Sequence, residues 1–329
     1  FMIRWGIVGL GKMANNFAIS LKEIDNAKLV KVASLSKSRL IKFSKNFNIN
    51  DNNRYNNYDE LFCSNEIDAI YIASLNNTHL DIIKKCAENK KNILCEKPFV
   101  TSHQEAKIAF DYIKKYKINF YEAIAYITHQ QTQVIKEIID SDEIGQINRI
   151  KLNFGFKAGK IKPESRLFNK ELGGGSLLDL GCYPLSFLNL LFNDRNNYQF
   201  DSVKGGYTST GVDDFAEAKI TINDSIDCFI KVSIKENLDN KIIINGSKGV
   251  LVINHPWIPE KKSSVDIKVG NSFYKRFINS KLSLYAGQIK TVSDNFDKKI
   301  NNDKFSVNIN DSLHIMKNLS LWANLIENR

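Results

Sequence analysis

Residues 2–14 read Met2-Ile3-Arg4-Trp5-Gly6-Ile7-Val8-Gly9-Leu10-Gly11-Lys12-Met13-Ala14. The stretch up to Val8 suits a short buried strand, and it runs straight into Gly9-Leu10-Gly11. From Met13, the apolar residues Phe17, Leu21 and Ile24 recur at helical spacing. Ala27 to Leu35 is a second β-rich run, followed by the polar Ser36-Lys37-Ser38-Arg39. Strand, glycine turn, helix and strand in that order make a βαβ unit, with parallel strands and a right-handed crossover. Within it, Gly9–Ala14 fits the pattern GxGxxG/A. The first glycine permits a tight turn, the second lets the backbone approach a pyrophosphate, and a small third residue allows close helix–strand packing. An anion held there meets free N–H groups at the positive end of the helix dipole. A glycine turn used only for packing is the plainer alternative, and the βαβ context favours dinucleotide binding.

Further strands are expected at Ala69–Ala73, Asn92–Cys95 and Asn119–Ala123, with helical patterns at 79–90 and 103–116 between them. This alternation predicts a Rossmann-type, doubly wound parallel sheet over residues 2–123. Beyond it the character changes. A helix at about 129–141 precedes Gly145 and the strand-like Ile147–Phe156. Closely spaced β-rich runs come next at Ala216–Ile222, Asp227–Ile234, Lys241–Ile244 and Val250–Ile253, and a final amphipathic helix covers about 311–327. Residues 124–329 are therefore expected to form an α+β domain with a large open antiparallel sheet. No internal repeat or low-complexity linker is visible.

The end of the second strand bears on which nicotinamide cofactor fits. NAD enzymes usually place a carboxylate there for the ribose hydroxyls. Here the residues are Ala33-Ser34-Leu35-Ser36-Lys37-Ser38-Arg39, with none. Ser34, Ser36, Lys37 and Arg39 could instead surround a 2′-phosphate, which favours NADP over NAD. A basic loop with no such role is the alternative.

Composition narrows the classes. In 329 residues, 43% are hydrophobic, which excludes a disordered chain. No apolar run is expected to reach the ~18–20 residues that span a bilayer, and no secretory signal is expected. Five cysteines are scattered, with no CxxC pair. That predicts free thiols in the cytoplasm, with no metal site. The net charge of +10 is spread over short pairs such as Lys84-Lys85 and Lys90-Lys91. A solvated basic surface is the better account, with neither nucleic acid nor membrane as partner.

Over nearly its whole length the chain resembles the Gfo/Idh/MocA oxidoreductases, which include glucose-fructose oxidoreductase and inositol dehydrogenase. The markers are Gly9–Ala14, Asn76-Asn77-Thr78-His79, Cys95-Glu96-Lys97-Pro98, and Gly173-Gly174-Gly175-Ser176-Leu177-Leu178-Asp179-Leu180-Gly181-Cys182-Tyr183. The resemblance implies that Lys97 faces both the nicotinamide ribose and a substrate hydroxyl, with Glu96 beside it. It also implies that Ser74, Asn76 and His79 border the cofactor, although a proline usually stands where this chain has Leu75. Histidine is common at the position of Tyr183, and tyrosine there resembles the glucose-fructose oxidoreductase and dimeric dihydrodiol dehydrogenase branch. Tyr183 is then the proton donor and acceptor, with Asp179 orienting substrate or Lys97. Arg166 matches a family arginine that binds substrate or braces the loop. Ile127 replaces a frequent arginine, so that arginine's contact is expected to be missing.

Each of these residues also has a plainer reading. Lys97 could be a surface lysine, Tyr183 a core aromatic, Asp179 a helix-start carboxylate, and His79 a helix N-terminal residue bonded to backbone. Asp179 and Tyr183, four apart, share a face of any helix, and Pro184 requires that helix to kink or start afresh. The expected function is reversible hydride transfer between NAD(P) and a carbinol or carbonyl carbon of a sugar, nucleotide-sugar, polyol or cyclic diol, as part of carbohydrate metabolism. A non-catalytic dinucleotide sensor or scaffold is the alternative. Relatives of this kind pair through the open sheet face, so a homodimer or a tetramer of dimers is expected.

Overall fold

Ile3–Val8 forms β1, buried along nearly its whole length, as befits a central parallel strand covered on both faces. A computed structural model describes residues 2–192, 197–298 and 303–328 of the chain. Two units result, Phe1–Ala125 with Tyr285–Leu313 and Tyr126–Leu284 with His314–Arg329. Tyr285–Leu313 thus packs with the first unit, although the sequence order groups it with the second.

In the first unit, β1 leads through the glycine turn to α1 (Lys12–Ser20), β2 (Ala27–Ala33) and α2 (Lys37–Phe47). Next come β3 (Arg54–Tyr55), α3 (Asp59–Cys63), β4 (Ala69–Ile72), α4 (His79–Glu88), β5 (Asn92–Cys95), α5 (His103–Tyr116) and β6 (Phe120–Glu122). The sheet order is β6-β5-β4-β1-β2-β3, all parallel, with the short strand Val307–Asn308 added antiparallel outside β6. The direction of winding reverses between β1 and β4, and the crevice at such a switch point is where open α/β sheets bind ligands.

The helix Leu284–Lys298 explains why the late segment returns to this unit. Its Ile289, Val292 and Phe296 lie on one face and join the core around Trp5, Phe17 and Tyr71. The Trp5 ring meets Phe17 and Phe296, with centroids 5.2 and 5.7 Å away, and its Nε1–H donates to Ser293 Oγ at 3.1 Å. Each such buried side chain contributes roughly 1.5–3 kcal/mol.

The second unit carries α6 (Gln130–Asp140), β7 (Ile147–Gly155) and α7 (Cys182–Phe192). Seven further strands complete it: β8 (Tyr198–Tyr207), β9 (Asp213–Ile222), β10 (Ile226–Ser233), β11 (Lys241–Gly246), β12 (Gly249–Asn254), β13 (Lys262–Val269) and β14 (Ser272–Asn279). Their sheet runs β14-β13-β12-β11-β7-β10-β9-β8. It is antiparallel as the meander spacing predicts, except that β7 and β10 pair in parallel. Alternation is clean in β9 and persists in the middle of the neighbouring strands. Ile220, Ile230, Leu152, Ile244, Leu251 and Ile267 are buried on one face, and by register Lys219, Phe229, Lys151, Ile243, Val252 and Asp266 stand on the other.

Contrary to the expectation from sequence, the segment Lys170–Phe192 is long and apolar enough to cross a membrane. However, 72% of its apolar window is buried inside the fold, as in a core helix. All five cysteines are free thiols, and only Cys63 is exposed.

His129 caps α6, its Nδ1 accepting the Gln131 N–H at 3.1 Å. Burial pushes its pKa down to about 4, because an imidazolium there would be poorly hydrated. The folded state therefore resists protonation that the unfolded chain accepts below about pH 6.5. Stability from this group is complete above that pH and is lost as pH falls towards 4, by roughly 3 kcal/mol in full. His129→Asn keeps a cap acceptor and has no proton to gain. Its stability in urea should fall less than the wild type's between pH 6.5 and 4, and parallel curves would refute the assignment.

Candidate active site

The glycine turn is the tightest point of the first unit. Gly9 has φ +84°, and a Cβ on it would lie 2.7 Å from the Ala73 carbonyl oxygen and 2.8 Å from Ser74 Cα. Gly11 differs: its φ is −88°, and a Cβ there would meet no protein atom within 4 Å. So Gly9 is glycine for the fold, and Gly11 leaves open space at the start of α1. That helix has no side-chain cap and no acidic residue in its first turn. Its N–H groups and dipole are thus available to an anion, as a dinucleotide's pyrophosphate requires. Leu10 sends its side chain into the core, leaving only its backbone for a nucleotide; Lys12 is exposed and Met13 half-buried.

After β2, Ser34 is buried and its Oγ accepts the Ser36 N–H at 3.2 Å. Ser36 caps α2, accepting the Arg39 N–H at 3.4 Å, and its hydroxyl lies 3.1 Å from that of Ser38. Lys37 and Arg39 are exposed in the first turn of α2, which contains no acidic residue.

The loop after β4 holds Ser74 and Asn76, the latter buried. Thr78 Oγ1 donates to the Ser74 hydroxyl or the Leu75 carbonyl, at 2.8 and 2.7 Å. His79 is fully buried, with Nδ1 3.1 Å from the Pro98 carbonyl oxygen and Nε2 3.4 Å from that of Ser74. It therefore ties this loop to the turn that carries Lys97, by way of backbone.

Glu96 and Lys97 are half-buried at the end of β5, and the Lys97-Pro98 peptide is cis. The Tyr71 hydroxyl donates to Glu96. Tyr285 is half-buried; burial raises its pKa, with Glu96 adding to the rise and the Lys97 charge opposing it. Glu122, from the end of β6, is 3% exposed. Its Oε1 accepts the Phe99 N–H at 3.1 Å, and burial pushes its pKa up to about 7 against the Ser312 hydroxyl, the Phe99 N–H and, more weakly, the Lys97 charge. Sequence reasoning passes over both Tyr285 and Glu122. The available signal for Glu122 was an acid closing an otherwise apolar strand.

In the second unit, Leu177–Gly181 is a π-helical turn that runs into α7. Pro184 falls in the first turn of α7, which continues without a break from the π-helical turn, so the helix does not start afresh there; the widened π turn just before it accommodates a residue with no N–H. Asp179 is buried and accepts from Arg166 NH2 at 2.9 Å, so Arg166 braces the segment. Asp213, also missed from sequence, anchors the turn's start: its Oδ2 accepts the Ser176 hydroxyl at 2.5 Å and the Leu177 N–H at 2.7 Å.

Tyr183 is half-buried in an aromatic frame. Its ring meets Phe154 at 4.9 Å edge-on, and Tyr126 and Trp257 at 6.0 Å. Its carbonyl accepts from Tyr126 OH at 3.1 Å and from Ser186 Oγ at 2.8 Å. Ile127 is buried, 2% exposed, which suits an apolar side chain in place of the family's frequent arginine. Among the described residues, no three His, Cys, Asp or Glu side chains gather as metal ligands.

Two family models match the chain. One, described as an oxidoreductase family with an NAD-binding Rossmann fold, covers residues 3–142, and the GFO/IDH/MocA C-terminal domain covers 132–252. Trans-1,2-dihydrobenzene-1,2-diol dehydrogenase of Xenopus tropicalis is 29% identical over 259 residues, 78% of this chain and 77% of its own. The mouse enzyme of the same name is 28% identical over 292 residues, 86% and 85% of the two chains. Among solved structures, a 3-ketoreductase from Actinomadura kijaniata with NADP and TDP-benzene superposes with a TM-score of 0.86 at 20% identity, covering 100% of this chain and 98% of that one. An aldose-aldose oxidoreductase from Caulobacter crescentus with glycerol gives 0.89 at 17% identity, covering 100% and 99%. At these identities the two structures testify to the fold.

The two glycines should separate by experiment. Gly9→Ala places a methyl against Ala73 at a positive φ and should destabilise by roughly 1–3 kcal/mol. Gly11→Val should unfold within about 1 kcal/mol of the wild type yet bind NADPH at least tenfold more weakly. Calorimetric titration showing unchanged affinity in Gly11→Val would remove the turn from the nucleotide site.

Proposed function

The chain belongs to the GFO/IDH/MocA oxidoreductase family, and on that premise we propose that it oxidises or reduces a carbinol or carbonyl carbon of a sugar, nucleotide-sugar, polyol or cyclic diol. The observation that carries the proposal is Lys97, an ammonium at the end of a parallel strand two places along the sheet from the strand that leads into the nucleotide turn, and, in the second unit, Tyr183 on its braced helix start. A dinucleotide sensor has no need of such an acid–base set. The names of the relatives, a diol dehydrogenase, a ketoreductase and an aldose oxidoreductase, support the substrate class.

Gly9, Leu10, Gly11, Lys12 and Met13 would hold the pyrophosphate, and Ser74, Asn76 and Glu96 would border the nicotinamide half. His79 contributes by fixing the Ser74 loop. Exposed Lys37 and Arg39, with Ser34 and Ser36 shaping their turn, favour the 2′-phosphate of NADP. When bound, the nicotinamide ring supplies or accepts the hydride. Tyr183 gives or takes the hydroxyl proton. A phenol with a pKa near ~10 needs a cation to do so at neutral pH, and Lys97 is the cation that the family motifs supply. Asp179, held by Arg166, orients the substrate.

The open face of the second unit's sheet would join two copies in an isologous dimer, with a tetramer built from dimers. Phe273 and Phe277 share that face and are 66% and 80% exposed, a large apolar display for a surface strand. The reduced cysteines fit a cytoplasmic enzyme, and the scattered lysines fit one that binds no nucleic acid.

Lys97→Ala and Tyr183→Phe should each lower turnover by roughly a hundredfold or more, and the double variant should be little worse than either. Tyr183→Phe should retain cofactor affinity. NADPH should bind more tightly than NADH, with Arg39→Ala narrowing the gap. Steady-state kinetics on diols and aldoses, with titration of both cofactors, reads all of this; near-normal turnover in Tyr183→Phe would sink the acid–base assignment. For assembly, light scattering should give a dimer or tetramer that Phe277→Glu shifts towards monomer, and a monomeric wild type contradicts the interface.

A further inference from the structure

Glu122 is a buried acid that the proposed reaction does not use. It ends β6 directly opposite Cys95, the last residue of β5, and the Ala123 N–H donates to the Cys95 carbonyl at 2.7 Å. Its carboxyl therefore reaches beneath the turn from Cys95 to Phe99, where the buried Phe99 N–H donates to Oε1 at 3.1 Å. Oε2 is shielded from solvent and meets no donor at full hydrogen-bond geometry among the described residues, although the Ser312 hydroxyl stands close enough to the carboxyl to favour its charged form. A carboxylate so placed is costly unless a cation or a proton relieves it.

The groups around it are few. Cys95 and Glu96 come from β5 and its end, Lys97 from the turn, and Ser312 from the helix Ile309–Glu327; Val307 is its partner across the outer strand. Cys95 is a buried thiol whose pKa is pushed up by burial and by both acids, so it stays neutral. Glu96 opposes ionisation of Glu122, and Lys97 is the cation that favours it.

We propose that Glu122 is a positioning residue for Lys97, bracing the Lys97 turn through Phe99 and supplying the buried counter-charge that sets the strength of the ammonium. This rests on Lys97 being the cation of the reaction. Burial pushes Glu122 up to about 7, so the counter-charge is present above neutrality and absent below it. Above pH 7 the Glu122 carboxylate stabilises the Lys97 ammonium and shields its field. Below pH 7 the neutral acid withdraws its share of that compensation, and Lys97 then acts more strongly on a nearby proton-transfer group. Glu122 touches no reacting atom in this scheme. It acts on the reaction through Lys97.

The test uses the full-length protein labelled with 13C at the glutamate carboxyls and the lysine ε-carbons. Glu122→Gln and Lys97→Arg assign the two signals by their disappearance. In the wild type, the Glu122 carbon should titrate near pH 7, and the Lys97 carbon should show an inflection at the same pH. In Glu122→Gln that inflection should vanish, and the Lys97 pKa should fall by roughly one pH unit. A Glu122 midpoint near 4.5, or a Lys97 signal indifferent to pH around 7, overturns the inference. Should Glu122→Gln fail to fold, Glu122→Asp serves for assignment and the wild-type titration alone decides. Kinetics adds a readout that mere packing would not move: kcat should bend near pH 7 in the wild type and lose the bend in Glu122→Gln, with cofactor KM within about twofold. The two ideas fail separately. Normal turnover in Lys97→Ala removes the catalytic reading and leaves the coupled titration standing, whereas an inactive Lys97→Ala without coupled titration overturns the role of Glu122 alone.

Discussion

The close approach of Gly9 to the end of β4 is the constraint from which the nucleotide-binding unit is built. With no side chain at Gly9, the backbones of β1 and β4 can meet at van der Waals distance where the winding of the sheet reverses. That meeting fixes Ser74, and Ser74 in turn holds the next loop in place. Its carbonyl faces the buried His79 ring, whose other nitrogen faces the Pro98 carbonyl, and one residue further the Phe99 N–H is bonded to Glu122. Contacts thus run along the C-terminal ends of β1, β4, β5 and β6 in order. Lys97 sits in the middle of that line, held by its neighbours' backbone and not by its own strand alone.

The second unit solves a similar problem with different parts. A glycine-rich loop and a π-helical turn are weakly determined by local propensity, so buried polar groups must define them. Asp213 from β9 accepts from Ser176 and Leu177 at the turn's start, and Arg166 holds Asp179 inside it. Tyr126 and Ser186 both donate to the carbonyl of Tyr183, while its ring is boxed by Phe154 and Trp257. A tyrosine mounted this way has a fixed direction without being fully buried.

Legibility tracked physical scale. Strands such as Asn92–Cys95 and helices such as His103–Tyr116 were readable because their apolar period and flanking residues are local properties. Arg54–Tyr55 and Val307–Asn308 were not, since two residues carry no period. β13 and β14 lie at the rim of a half-exposed sheet, where Lys262, Ser263, Lys275 and Arg276 interrupt the alternation. For the helix Leu284–Lys298, the spacing of Ile289, Val292 and Phe296 is visible in sequence, but nothing local says which core receives it. Among site residues, Lys97, Asp179 and Tyr183 belong to contiguous motifs. Asp213 and Tyr285 owe their surroundings to partners far along the chain, and Glu122 offers only the weak local signal of an acid that closes an apolar strand.

The mouth of the first unit also shows why two acids near one lysine need not be equivalent. Glu96 is half-buried and receives the Tyr71 hydroxyl, so part of its hydration is replaced by a donor. Glu122 is enclosed, with one backbone N–H on Oε1 and the Ser312 hydroxyl as its other polar neighbour. Desolvation therefore falls mainly on Glu122, and the two carboxyls are pushed towards different tasks, as happens wherever neighbouring acids sit in unlike environments. Lys97 feels both, and Tyr285 records the contest: Glu96 raises its pKa while Lys97 lowers it. A local charge that can change by one proton without moving any backbone is the least disruptive way to tune an ammonium on a rigid strand end. The fold supplies that arrangement by ending β5 and β6 side by side, one with the lysine and the other with the enclosed acid.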